Sequence, residues 1–226
     1  MEQDFRNPQQ FPAVRKWTIT FAQAIATLCI ALSSSAYAGG VRSLKAEFGA
    51  SQEVIILGLS LFVLGFAIGP LLFAPMSELW GRQIVLFATY GALTAFTAGC
   101  AGAQNIETVI VLRFLAGAFG SSPLANAGGV IADMFTASQR GFALTLFATA
   151  PFLGPILGPI TGSFIGETQG WRWIQGFLAC FAGAVFIMTS VLCPEVRTMC
   201  PFYLADIIKL IDTLDLSYSF ATQASC

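Results

Sequence analysis

The sequence predicts an all-α membrane protein with six transmembrane helices. Of its 226 residues, 56% are hydrophobic and only 10% are charged, whereas about a quarter of the residues in a typical soluble domain are charged. The charged residues are also gathered at intervals. They leave six uncharged stretches of about the length that a helix needs to cross a bilayer, roughly 20 residues. These stretches are residues 17–41, 54–77, 83–106, 114–132, 141–166 and 173–194.

The six stretches are expected to be helices, because lipid offers the backbone no hydrogen-bond partners and only helices or closed barrels can span it. They lack the alternation of apolar and polar residues that marks barrel strands. The first stretch follows Arg15 and Lys16 and ends in the small-residue run 36–38, so it also resembles a cleaved signal peptide. Because it is long and five more spans follow, we expect it to remain as the first helix.

Positively charged residues predict the orientation, because cytoplasmic loops carry an excess of lysine and arginine. With the amino terminus inside, seven of these residues fall on the cytoplasmic side and three on the outside, which favours two cytoplasmic termini. The inner residues are Arg6, Arg15, Lys16, Arg82, Arg140, Arg197 and Lys209, and the outer ones are Arg42, Lys45 and Arg172. The expected organisation is a cytoplasmic lead (1–16), a six-helix domain (17–194) and a divergent cytoplasmic tail (195–226).

The composition speaks against several classes of function. The net charge is −1, and lysine and arginine are thinly spread, so no nucleic-acid partner is expected. The six cysteines form no Cys-x-x-Cys pair and the chain has no histidine, so we expect no metal site and no cofactor. The spans contain neither paired aspartates nor a serine with a histidine partner, so the protein is not expected to be an enzyme.

Small residues at four-residue spacing predict close packing between helices, since transmembrane helices approach one another most closely where side chains are small. Gly65 and Gly69 form such a row in the second span, and Gly154, Gly158 and Gly162 form one in the fifth. Three prolines lie beside the second row. Proline removes a backbone donor and clashes with the preceding turn, so the fifth helix is expected to bend or loosen there.

The turn after the second span has the sequence APMSELWGRQIV. It resembles the loop signature of the major facilitator superfamily, which Glu78, Gly81 and Arg82 match, although Ala74 and Gln83 depart from the usual pattern. Glycine permits a sharp turn, and the opposite charges can form a cytoplasmic latch between helices. The alternative is a solvated charged turn without a special role.

The fourth span contains RFLAGAFG, in which Arg113 and Gly117 match the family's fourth-helix motif, and it ends at Asp133. An arginine within a span costs about 2.5–3.5 kcal/mol, so it should face a polar cavity or a partner. Alternatively, Arg113 could snorkel to headgroups roughly 9 Å away at the outer end of its helix. The resemblance implies that Arg113 and Asp133 take part in transport and proton coupling, with Asp133 also in the inner latch.

The fifth span contains APFLGPILGP, which resembles the antiporter motif of the same superfamily, with Gly154, Pro155 and Gly158 at its positions and Pro159 replacing a glycine. This resemblance implies proton-driven export and a fifth helix that flexes. The segment Trp171-Arg172-Trp173 is similar to the fungal drug:proton antiporter branch. The span polar groups that could line a cavity include Gln23, Tyr37 and Asn126.

The resemblance covers roughly residues 15–195 and implies one half of the major facilitator fold, built from two inverted three-helix repeats. Its implied function is proton-coupled efflux of small organic molecules, such as drugs or secondary metabolites, from a plasma membrane or a vacuolar membrane. The partners would be the lipid bilayer, substrate, protons and a second half or a second copy. Two alternatives stay open: a truncated, non-transporting or regulatory half-transporter, and a polyamine exporter of the same superfamily.

Overall fold

The computed structural model describes residues 12–192, and every regular element in this part of the chain is helical. The predicted tail and residues 1–11 of the predicted lead lie outside the described residues. A 3-10 turn, Tyr37–Gly40, joins α1 to α2. The helices are α1 (Ala13–Ala36), α2 (Val41–Phe48), α3 (Gln52–Trp80), α4 (Arg82–Ala101), α5 (Ile106–Gly120), α6 (Ser122–Met134), α7 (Ala137–Thr168) and α8 (Trp171–Leu192).

Six of the resulting segments are long and apolar enough to cross a membrane, which confirms the prediction of six spans. α1 and α2 together form the first segment, and α5 and α6 together form the fourth. The first segment has 36 residues, which at about 1.5 Å per residue is longer than the hydrocarbon core, about 30 Å thick. It therefore extends beyond the hydrocarbon core. The segments are Ala13–Phe48, Gln52–Trp80, Ile84–Ala101, Ile106–Ala132, Ala137–Thr168 and Trp171–Ser190.

The helix ends follow local signals in the sequence. α1 begins at Ala13, directly after Pro12 and four residues before the first uncharged stretch. The hydroxyl of Ser51 caps α3 by accepting the backbone N–H of Val54 at 3.4 Å. Gly81 separates α3 from α4 with φ of +91°, a backbone conformation that side chains disfavour. The short turn predicted between the second and third spans is therefore confirmed.

The packing of the spans has an internal symmetry. The largest interfaces join α1 to α7, α3 to α5 and α4 to α8. In terms of spans, the first packs on the fifth, the second on the fourth, and the third on the sixth. If spans 1, 2 and 3 exchange places with spans 4, 5 and 6, the interface of spans 1 and 5 becomes that of spans 4 and 2. The interface of spans 3 and 6 is then unchanged. This is the arrangement expected of two inverted three-helix repeats.

The buried side chains form a cluster in the middle of the bundle and another at the end that the predicted orientation places outside. We call the second group the outer cluster, because it lies beneath the connections between spans on that side. The first includes Cys29, Ile30, Phe62, Tyr90 and Leu93. The outer cluster consists of Tyr37, Leu44, Ile55, Cys100, Ala103, Val109 and Trp171.

Candidate functional site

Arg113 lies in the third turn of α5, and its side chain is only 3% exposed. Its guanidinium donates from Nη2 to the backbone carbonyl of Ser33 at 3.0 Å. It also lies over two aromatic faces, 4.0 Å from the Tyr37 ring centroid and 5.0 Å from the Phe62 ring centroid. The side chain therefore points into the bundle rather than towards the headgroups. Of the two alternatives that the sequence left open, the structure shows a partner and not snorkelling.

A local change in α1 supplies the acceptor for Arg113. In a continued α-helix, the carbonyl of Ser33 would accept the backbone N–H of Tyr37, four residues later. α1 instead ends at Ala36 and the 3-10 turn begins at Tyr37, and in such a turn a backbone N–H is directed at the carbonyl three residues earlier rather than four. The Ser33 carbonyl is thus available to Arg113. The end of α1 therefore provides the hydrogen-bond acceptor that the buried Arg113 uses.

The partners of Arg113 are neutral. Among the side chains that the structure describes, no carboxylate pairs with its guanidinium, and its Nε has no hydrogen-bond partner. A cation over an aromatic ring gains about 0.5–1 kcal/mol at exposed sites and about 2 or more when desolvated, and a hydrogen bond from a charged donor contributes about 1.5–3 kcal/mol. Two rings and one carbonyl together hold a buried charge that still has an unused donor.

The inner latch stays a prediction. Glu78 is exposed in the last turn of α3, and Gly81 makes the turn with its positive φ. Arg82 begins α4 and Asp133 lies near the end of α6, but their side chains are outside the described ones. The backbone does bring Glu78 and Arg82 to either side of one tight turn.

The antiporter-motif residues lie along α7 where it packs against α1. A methyl group added at Gly154, Gly158 or Gly162 would overlap atoms of α1. The hydroxyl of Ser35 donates to the Gly154 carbonyl at 3.1 Å across this contact. Pro155 faces away and is exposed, and α7 is continuous through its three prolines. The glycine row therefore forms the predicted close helix contact, whereas the predicted flexing stays untested.

A second glycine contact joins α3 to α5. A methyl group at Gly65 or Gly69 would overlap the backbone of α5, and one at Gly117 would overlap the backbone at Phe62. This contact is the symmetry counterpart of the contact between α1 and α7. Phe62 thereby belongs to both the glycine contact and the surroundings of Arg113, so the close approach of α3 to α5 places its ring beside the guanidinium.

The three predicted lining residues are all buried within the bundle. Tyr37 is 1% exposed and donates its hydroxyl to the Ile55 carbonyl at 3.1 Å. Asn126 donates to the Ser122 hydroxyl at 3.1 Å. Gln23 keeps one buried oxygen, Oε1, without a partner. The structure brings Tyr37 to Arg113, but it shows no contact of Gln23 or Asn126 with that site.

One contact at the outer end escaped the sequence analysis. Glu47 in α2 accepts hydrogen bonds from the indole of Trp171 and from the guanidinium of Arg172, at the start of α8. From the sequence, Trp171 and Arg172 resemble a fungal branch and Arg172 is one of the outer positive charges, but neither residue is linked to Glu47. An acidic residue and an arginine in two connections on the same predicted side were the available signal, but 125 residues separate them.

Comparison with known proteins places the chain in a family. The sequence profile of the Major Facilitator Superfamily matches residues 23–198. The chain is 66% identical to the MFS-type efflux pump MFS2 of Trichophyton rubrum over 85% of its own length and 32% of that protein's. It is 63% identical to the multidrug transporter mdrA of Aspergillus fumigatus over 86% of its length and 32% of that protein's. The chain thus spans about a third of these curated relatives.

Solved structures agree on the fold. A proton:xylose symporter matches 80% of this chain and 45% of its own, with a TM-score of 0.71 and 17% identity. A peptide transporter matches 90% of this chain and 47% of its own, with a TM-score of 0.70 and 12% identity. These likenesses show the fold, and the profile covers most of the chain. The chain therefore belongs to the Major Facilitator Superfamily, and its close relatives include fungal efflux pumps.

Proposed function

We propose that the chain forms the amino-terminal six-helix half of a proton-coupled exporter of small organic molecules. It works together with a second half, and substrate binds between the halves near the middle of the membrane. The observation that carries the proposal is the buried guanidinium of Arg113, because an ionisable group inside a membrane domain is costly and marks a transport pathway by default. The name of the Trichophyton rubrum relative, an efflux pump, supports export rather than uptake.

In this proposal, Arg113 is the charge to which proton coupling responds. Its Nε is a free donor in a site whose other partners are neutral. An anionic carboxylate that approached it would be stabilised, whereas the protonated carboxylic acid would gain much less. Such a carboxylate must come from the second half, because Asp133 lies at the other end of the same span, about 30 Å from Arg113 at about 1.5 Å per residue. Protonation of that acid would release it from Arg113 and favour the alternate conformation.

The remaining predicted residues serve the conformational change. Glu78, Gly81, Arg82 and Asp133 form the inner latch, which breaks as the two halves rock. The protein lies in the plasma membrane with both termini in the cytoplasm, and the excess of positive charge on that side supports this orientation. The glycine row containing Gly154 and Gly158 holds the fifth helix against the first.

A chimera tests the function. Residues 12–192 replace the matching segment of the Trichophyton rubrum efflux pump, in a host that lacks its own exporters. We expect the chimera to lower the accumulation of a fluorescent organic dye, and a protonophore to abolish this effect. Chimeras of this kind keep the described helices intact while supplying a complete second half.

Two variants in the chimera assign the role of Arg113. Arg113→Ala should abolish export while surface expression persists. Arg42→Ala is the matched control, because it removes an exposed arginine from α2 and should leave export unchanged. Full export by Arg113→Ala would refute the assigned role, and a dye gradient that survives the protonophore would refute proton coupling.

A further inference from the structure

The carboxylate of Glu47 in α2 binds two residues at the beginning of α8, which is distant from α2 in sequence. It accepts the indole N–H of Trp171 at 2.5 Å, and it accepts Nη2 of Arg172 at 2.9 Å and Nε of Arg172 at 3.2 Å. One turn earlier in α2, the hydroxyl of Ser43 donates to the carbonyl of Gly166 at 3.1 Å. We call these five residues the outer clamp. It fastens α2 to the end of α7 and the beginning of α8.

Ring contacts reinforce the outer clamp. The Phe48 and Trp171 rings lie 5.6 Å apart between centroids, and the guanidinium of Arg172 lies 5.2 Å from the Trp171 ring centroid. A methyl group at Gly40 would lie 3.1 Å from Cβ of Trp171, tighter than an ordinary contact. The Trp171 side chain is therefore enclosed on several sides by residues from the 3-10 turn onward.

The charge of Glu47 has a specific task in this arrangement. Trp171 is only 2% exposed, and a buried indole N–H without an acceptor would cost stability. Glu47 and Arg172 themselves are 43% and 44% exposed in their side chains, and an exposed ion pair contributes little by itself. What the carboxylate provides is orientation, since it serves the buried indole and the exposed guanidinium at once.

The outer clamp lies directly over the outer cluster. Trp171 belongs to both, and the cluster also contains Tyr37, whose ring faces Arg113. A shift of α2 away from α8 would loosen the packing around Tyr37, and the aromatic face under the guanidinium would move with it. The position of α2 is thus linked to the buried arginine through contiguous packed side chains.

We propose that Glu47 is a positioning residue for transport, which holds the outer cluster closed and so keeps Tyr37 against Arg113. The proposal rests on the proposed function where it concerns transport. The closing of the cluster can be tested without any transport. Cys100 is a native reporter for it, because this thiol is in the outer cluster and only 1% exposed.

The test measures alkylation of Cys100 by a water-soluble maleimide in the full chain reconstituted in lipid nanodiscs, read peptide by peptide by mass spectrometry. Glu47→Gln keeps the shape of the side chain and removes its charge. In this variant we expect the maleimide to label Cys100 roughly five-fold faster, because the labelling rate of a buried thiol follows the population of the state in which the outer cluster is open. Glu53→Gln removes an exposed charge at the start of α3 and should label at the parental rate.

A conservative variant separates charge from packing. Glu47→Asp keeps the charge and shortens the side chain, so it should label Cys100 within about two-fold of the parent. A role in packing alone predicts the reverse order, with Glu47→Gln harmless and Glu47→Asp disruptive. Adding Arg172→Gln to Glu47→Gln should cause little further increase, since both changes break the same contact. Parental labelling of Glu47→Gln would overturn the proposal.

The chimera then links the outer clamp to export. Glu47→Gln should lower the maximal export rate several-fold while the dye concentration at half-maximal rate stays near the parental value. If Glu47→Gln speeds the labelling of Cys100 but leaves export unchanged, the role of Glu47 in transport is overturned, and only its role in closing the outer cluster remains. If even the unmutated chimera exports nothing, the proposed function fails, whereas the labelling of Cys100 still decides whether Glu47 closes the cluster.

Discussion

The contact between α1 and α7 makes a sharp prediction at Gly162. A methyl group there would overlap the backbone carbonyl of Ala36, which cannot rotate away as a side chain could. To restore ordinary contact, α7 would have to move about 1 Å from α1. We therefore expect Gly162→Ala to destabilise the bundle.

The magnitude follows from two opposing contributions. Overpacking of a close contact costs typically about 1–3 kcal/mol, and alanine in place of a helical glycine returns about 0.8–1 kcal/mol. The net destabilisation is roughly 1–2 kcal/mol if overpacking lies in the upper part of its range. The separation would also weaken the hydrogen bond from Ser35 to Gly154, of a kind that contributes about 0.6 kcal/mol on average in membrane bundles.

The matched control is Gly176→Ala in α8. A methyl group there meets no other atom within 4 Å, so only the gain in helix propensity remains and this variant should be slightly stabilised. Thermal unfolding in detergent can be followed by the reaction of the buried thiols Cys29 and Cys100 with a fluorogenic dye. We expect a lower midpoint for Gly162→Ala and an equal or higher midpoint for Gly176→Ala. Equal midpoints would refute the assignment of Gly162 to a close helix contact.

Three further outcomes can be checked with the same unfolding assay. Gly81→Ala should lower the free energy of unfolding by about 1–2 kcal/mol, because Gly81 has φ of +91°. Gly141→Ala, in open space within α7, is the control and should be neutral or stabilising. Equal losses of stability in the two variants would contradict the requirement for glycine in the turn. Trp17→Ala removes a ring that contacts two phenylalanines of the inner end and should cost more than Trp173→Ala, whose side chain is 63% exposed. Tyr37→Phe removes one buried hydrogen bond and should cost about 0.5–1.5 kcal/mol; an unchanged midpoint would contradict that bond.

The sequence predicted the spans well because burial in lipid leaves a strong signal over some 20 residues. Each of the six uncharged stretches corresponds to one of the observed helical segments, apart from shifted ends. The first helix begins at Ala13 rather than Trp17, since polar residues beyond the hydrocarbon core can continue a helix without an apolar signal. The glycine rows were also predictable, because their four-residue spacing reflects the helix period.

The surroundings of Arg113 could not be predicted in the same way. Its partner is a backbone carbonyl, which every residue carries, and the availability of Ser33 depends on where α1 changes to a 3-10 turn. Gly39 and Gly40 weaken the α-helix in this segment, but they do not specify the residue at which the change begins. The contact of Glu47 with Trp171 depends on how two connections meet in space, and local patterns contain no information about such a distance.

The neutral surroundings of Arg113 have a consequence for small ions. A guanidinium stays protonated throughout the physiological range, and its carbonyl and ring partners cannot cancel its charge. At 10 Å, another unit positive charge would be raised in energy by roughly 1–2 kcal/mol with an effective dielectric constant of about 20. An inorganic cation that came within that distance of Arg113 would meet this repulsion, because no described carboxylate pairs with the guanidinium to offset it.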